Sequence, residues 1–172
     1  MASTTLPIAL TSVQTSPELP LGYKFEEPAS GAGARADQGE KVWVYVFNDE
    51  ASAALAIGDI CVRDPSVATQ DMYGVIQAPI NTAAHALSVV GVAQHAIAAG
   101  SYGFIQCKGQ ALCRTGTGDV TADVSLVSGG SALGSAKDGT LGTDDGCFFG
   151  FALEAEATDL TTFDAYINCP GA

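Results

Sequence analysis

The strongest pattern in the chain is the run Lys41-Val42-Trp43-Val44-Tyr45-Val46-Phe47, in which every residue from Val42 to Phe47 is β-branched or aromatic. Such residues suit a pleated strand. Alternation places Val42, Val44 and Val46 on one face and Trp43, Tyr45 and Phe47 on the other. Both faces are apolar. One is therefore expected in the core, and the other against a second layer, the N-terminal arm or a neighbouring subunit. Asn48-Asp49-Glu50 supplies turn chemistry to close the strand.

Downstream the pattern breaks into short apolar runs separated by glycine. Ala54-Leu55-Ala56-Ile57-Gly58-Asp59-Ile60-Cys61-Val62 has an apolar lead, a glycine, a polar residue and a strand, and Ala96 to Gln106 echoes that plan. Further strands are predicted over Met72–Gln77, Ser88–Gln94, Val120–Val127, Cys147–Leu153 and Thr162–Asn168. Turn clusters at 116–119, 128–131 and 142–146 separate them. Cys107 and Cys113 are expected on a hairpin. Thr82–Leu87 is the best helical candidate and is too short to alter the class. The expectation is an all-β fold, a small antiparallel β-barrel or β-sandwich.

Residues 1–40 differ. They hold Pro7, Pro17, Pro20 and Pro28, four of the seven prolines, and the Gly31-Ala32-Gly33-Ala34 stretch. This reads as an extended N-terminal arm ahead of a 41–172 β-domain. Leu6, Ile8, Leu10, Leu19, Leu21, Tyr23 and Phe25 are spread through the arm, as in a segment that lies along a surface.

Composition narrows the function. Apolar residues make up 47% and charged residues 15%, so the chain is expected to fold, with a surface rich in small residues. Seven basic residues stand against nineteen acidic ones, a formal charge of −12. The cations are scattered singly, so neither nucleic acid nor an anionic membrane is an expected partner. The N-terminus lacks the positive region and apolar core of a secretory signal, and synthesis in a cytosol is expected. The cysteines (Cys61, Cys107, Cys113, Cys147, Cys169) number five, and without a signal they are expected as free buried thiols.

Candidate chemistry is thin. His85 and His95 have no thiol or carboxylate at a metal-like offset. Ser88 and Ser101 lie near them in sequence without a G-x-S-x-G elbow. The acid pairs Asp144-Asp145, Glu154/Glu156 and Asp119/Asp123 fall in a turn or on solvated strand faces. No enzyme, cofactor or metal is expected.

Four short motifs in order carry a resemblance. They are Gly39-Glu40-Lys41-Val42-Trp43-Val44-Tyr45-Val46 followed by Ala54 to Ile60; Val90-Gly91-Val92-Ala93; Ile97 to Gly109; and Gly150-Phe151-Ala152-Leu153-Glu154-Ala155. With Pro20-Leu21-Gly22 upstream, they resemble the capsid cement or decoration proteins of tailed bacteriophages, over roughly residues 19–168. The longer arm, an insertion around Pro65–Tyr73 and the cysteines depart from that pattern.

The resemblance implies a structural protein on the outer capsid surface that stabilises the shell against the pressure of packaged DNA. Its partners would be the major capsid protein and further copies of itself, as a homotrimer. The arm residues Leu6, Ile8, Leu10, Leu19, Leu21, Tyr23 and Phe25 would then be capsid contacts. Trp43, Tyr45 and Phe47 would lie in a core strand or subunit interface. Rival readings are a head-fibre or tail-base component and a carbohydrate-binding β-module, which would display Trp43 and Tyr45 over a groove.

Overall fold

The Val42–Phe47 run lies in a strand, and everything else is arranged around it. The computed structural model describes residues 6, 8–28, 39–65, 73–84, 86–116 and 120–172. Among these are β1 (Lys24–Glu27), β2 (Lys41–Asn48), β3 (Ile60–Arg63), β4 (Gly74–Gln77), β5 (Val89–Val92) and β6 (Tyr102–Arg114). They are followed by β7 (Ser125–Ser128), β8 (Ala136–Asp138), β9 (Phe148–Ala152) and β10 (Thr162–Asn168). Strand accounts for 43% of the described residues, and no α-helix occurs among them. The fold is all-β. The expected helix at Thr82–Leu87 is replaced by a single 3₁₀ turn at Ala86–Ser88, and His85 lies outside the described residues.

Five strands close into a barrel. β2 pairs with β6, β6 with β5, β5 with β3 and β3 with β4, all antiparallel. The ring is completed by a short parallel pairing of β2 with β4, Phe47 opposite Gly74 and Asn48 opposite Val75. A parallel pair needs a crossover, and the chain makes one by passing through β3 before it reaches β4. The other sheet extends outward in the order β6, β10, β9, β7, β8, and an isolated bridge from Thr115 to Ala136 links the end of β6 to β8.

β6 belongs to both sheets. Its first half, Tyr102 to Lys108, pairs with β2, and its second half, Lys108 to Arg114, pairs with β10. A register shift between Val42 and Trp43 leaves Cys107 without a partner on β2. Next to it, Gly109 has φ +98°, and a side chain there would stand 2.5 Å from the Glu40 carbonyl. A bulge followed by a left-handed glycine bends a strand. Cys107 and Cys113 therefore share one continuous 13-residue strand, not the hairpin expected from sequence. The intervening Gly109 reads like a turn signal but acts as a bend.

The two echoing units meet. Leu55 and Ile97 form an antiparallel bridge with reciprocal N–H to carbonyl bonds of 2.9 and 3.0 Å, and both side chains are fully buried. Each is followed by a left-handed glycine, Gly58 or Gly100, that turns the chain into β3 or β6. Near this seam the Asp59 carboxylate is completely buried. It accepts from the Ala56 N–H at 2.7 Å and the Gln77 side-chain amide at 2.6 Å, and faces the Arg114 guanidinium at 3.1 Å. Burial pushes this carboxyl above its ordinary range, and the three neighbouring donors pull it back. Arg114 also donates to the Leu133 carbonyl, so Asp59 ties β4, the end of β6 and the loop before β8 together.

A single core runs through barrel and outer sheet, from Val44, Val46, Ile60 and Ile105 to Leu126, Phe149, Phe163 and Ile167. Backbones approach closely where glycine permits. A Cβ on Gly91 would meet the Gln106 carbonyl at 2.6 Å, whereas one on Gly100 (φ +69°) would meet nothing within 4 Å. Gly91→Ala is therefore expected to cost about 1–3 kcal/mol through overpacking, and Gly100→Ala about 1–2 kcal/mol from backbone strain alone. Urea unfolding of both variants checks the order, and a larger loss for Gly100→Ala would contradict this account of barrel closure.

Candidate interaction surfaces

β2 distributes its side chains as the alternation requires: Val44 and Val46 enter the main core, while Trp43 and Tyr45 turn to the opposite face. There they form a second cluster with Phe104. Packed against it are Leu6, Ile8, Leu10, Leu19, Leu21, Tyr23, Phe25 and Tyr102. All seven apolar arm residues singled out from sequence thus lie, half-buried, on the chain's own barrel. Trp43 is 7% exposed and Tyr45 not at all. Phe47 is half-buried and sits 4.9 Å from the Tyr102 ring. The two-sided ribbon is covered within one molecule.

Polar contacts fix the arm in register. Its last part is β1, paired with β2 so that Phe25 faces Trp43 and Glu27 faces Lys41. The Trp43 indole N–H donates to Glu27 Oε2 at 3.0 Å. The Tyr45 hydroxyl donates to Gln14 Oε1 and accepts from the Glu18 N–H, both at 3.3 Å. Gln14 and Tyr102 exchange two backbone hydrogen bonds of 3.0 and 2.8 Å. Prolines and irregular spacing hide this pairing from sequence pattern, because an arm bonded to a strand edge at a few points has no period of its own.

One group of exposed apolar residues lies together on the outer sheet. Tyr166 on β10 is opposite Phe151 on β9; the rings stack at 5.5 Å with a 22° interplanar angle. They are 36% and 40% exposed, and the neighbouring Leu153 is 40% exposed. Register extends this row to Gln110 on β6 and Ser125 on β7. Sequence reading did not single these residues out. The signal was present in β10, where Phe163, Ala165 and Ile167 point inward and Thr162, Asp164, Tyr166 and Asn168 outward. Tyr166 is an aromatic on the polar side. Phe151 was harder to see, because the bulge opposite Leu126 and Val127 buries Phe149 while leaving Phe151 outside.

The remaining chemical candidates separate. Among the described residues no three His, Cys, Asp or Glu side chains gather as a metal site. Both His95 ring nitrogens are buried and find no hydrogen-bond partner among the described residues, and burial lowers the pKa of the ring. Asp144 accepts from the Thr140 N–H at 3.0 Å and lies 3.9 Å from Lys137, while Asp145 accepts from the Gly142 N–H. Glu154 and Glu156 accept from the backbone of Asp164 and Thr158. These acids organise turns; Asp119 lies outside the described residues. Several cations are held locally as well, Lys108 by Glu40 at 3.5 Å, Lys24 by the Ala172 carbonyl and Arg63 by the Gly171 carbonyl. Among the described residues no helix is long and apolar enough to cross a membrane.

No family model, curated protein or solved structure matches the chain.

Four thiols are buried. Burial pushes Cys107 up to about 11, raises Cys61 and Cys113 further and holds Cys169 well above the ordinary thiol range, whereas Cys147 is partly exposed. Since the thiolate is the reactive form, a thiol reagent at pH 8 is expected to modify Cys147 rapidly and the others only on unfolding. Fast reaction of two or more thiols in the native protein would contradict the packing. The single tryptophan reports on the arm. Phe25→Ala combined with Leu19→Ala is expected to red-shift Trp43 emission and lower the unfolding midpoint, and unchanged emission would mean the arm does not cover that face.

Proposed function

We propose that this chain is a structural virion protein that binds the outer surface of a bacteriophage capsid, assembles there as a homotrimer and stabilises the shell against internal pressure. The observation that carries the reading is where the resemblance motifs fall. Their glycines stand where a side chain would be crowded or the backbone is left-handed: Gly58, Gly91, Gly100, Gly103, Gly109 and Gly150. Leu55 and Ile97, the apolar leads of two motifs, are bridge partners. The ordered motifs therefore describe one architecture rather than a compositional habit, which supports carrying the family's role across.

Other features favour the same role. The −12 charge suits the outside of a head, away from DNA. The Tyr166–Phe151–Leu153 surface offers a flat apolar contact, of the kind that anchors protein interfaces. The major capsid protein is the partner proposed for it. The arm's own packing moves the expected capsid contact away from Leu6, Ile8, Leu10, Leu19, Leu21, Tyr23 and Phe25 in the closed molecule, because those side chains already cover Trp43 and Tyr45. A head-fibre or tail-base role differs only in its position on the particle. One observation favours a carbohydrate-binding module: the stacked Phe151–Tyr166 pair, with Asp164 and Asn168 on the same face of β10. In that reading the platform is this pair and not Trp43 or Tyr45, which are buried.

The test mixes purified protein with undecorated shells. Co-sedimentation to a saturating ratio is expected, with a rise in the temperature of shell rupture and at least a tenfold weakening for Phe151→Ser/Tyr166→Ser, about 1.4 kcal/mol or more. Protein left in the supernatant would defeat the capsid reading. Density at the portal or tail in particle images would favour the fibre reading, and retention on a glycan array the carbohydrate reading.

A further inference from the structure

The arm and the barrel are joined by far more chain than their contact requires. Glu27, at the end of β1, is the direct partner of Lys41, at the start of β2. Opposed residues of antiparallel strands lie about 5 Å apart, and two to five residues suffice to connect them. Here residues 28–40 do so, and Ala29-Ser30-Gly31-Ala32-Gly33-Ala34-Arg35-Ala36 carries no large apolar side chain. A connection of about thirteen residues reaches roughly 40 Å when extended, enough to cross to an adjoining molecule.

The arm also has separate footing. Its apolar residues pack on the Trp43–Tyr45–Phe104 cluster, which is distinct from the main core. The closed barrel and outer sheet are built from residues after 40, with β1 added at the edge of β2. Lifting the arm would expose the second cluster without opening the first.

We infer that the Trp43–Tyr45–Phe104 face is an exchange site, which accepts the arm of a second copy of this chain in place of its own. Every contact is conserved in the exchange: Phe25 against Trp43, Glu27 beside the indole N–H, Gln14 bridged to Tyr102. Only connectivity changes, so the balance is set by concentration. A connection of this length and composition, rich in glycine and alanine, corresponds to an effective concentration of the chain's own arm in the millimolar range. Dilute protein keeps its own arm, and copies crowded together at millimolar concentration trade arms. The inference concerns purified protein alone and does not rest on the capsid reading, so either can fail without the other.

The experiment uses two isotopic forms of the unaltered chain, one ¹⁴N and one ¹⁵N. They are mixed, unfolded and refolded together at micromolar and at millimolar concentration. A zero-length carbodiimide then joins Glu27 to Lys41, and the linked peptides are weighed. Single-isotope pairs are expected to dominate at micromolar concentration, with mixed pairs rising toward about half of the total, the random-mixing limit, at millimolar concentration. A chain lacking residues 30–37 retains a five-residue hairpin connection and is expected to give no mixed pairs at either concentration. Two outcomes overturn the inference: single-isotope pairs throughout for the full chain, or mixed pairs undiminished in the shortened one, which would mark simple contact between neighbours.

Discussion

One strand, Tyr102–Arg114, has to serve two sheets at once, and most of the molecule follows from that demand. Thirteen residues at about 3.3 Å each make a strand some 40 Å long, too long to wrap inside a five-stranded barrel. Its first half closes the barrel on β2 and its second half seeds the outer sheet on β10. The change of sheet occurs at Cys107 to Gly109, where a residue drops out of the ladder and the next glycine turns left-handed. Gln106 steadies this bend, its buried amide donating to the carbonyls of Lys108 at 3.0 Å and Gln110 at 2.8 Å.

That geometry explains the chain's appetite for small residues. Where a barrel this narrow closes, backbones pass within contact distance, and a side chain at Gly91 or Gly109 would meet a carbonyl oxygen at 2.6 or 2.5 Å. Leu55 and Ile97 fill the space between the two glycine turns, and Asp59 with Arg114 fastens the same region from the polar side. Removing Arg114 would leave the fully buried Asp59 carboxyl without its counter-charge, which costs several kcal/mol.

The arm answers a different need. A strand apolar on both faces, set at the wall of a barrel, presents one face to the core and the other to solvent unless something covers it. Residues 6–27 provide the cover, joined by a few side-chain and backbone hydrogen bonds at Gln14, Glu18, Tyr23 and Glu27. Among the apolar side chains left exposed elsewhere are Phe151, Leu153 and Tyr166 on the outer sheet. Function in the proposed reading belongs to that face.

The all-β class, the location of β2, β10 and most other strands, and the alternation of Val44 and Val46 against Trp43 and Tyr45 were legible in the chain by itself. They depend on local preference and a two-residue period, which neighbours in sequence express directly. The apolar spacing of the arm likewise announced a segment that lies on something. Which surface it covers was decided by the tertiary structure alone, since Trp43, Tyr45 and Phe104 come together only when β2 pairs with β6. The continuity of β6 through Gly109, the parallel closure by β4 and the exposure of Phe151 were hidden for the same reason. A bulge shifts which side chains face inward, and whether a glycine bends a strand or ends it depends on the backbone that comes to lie beside it.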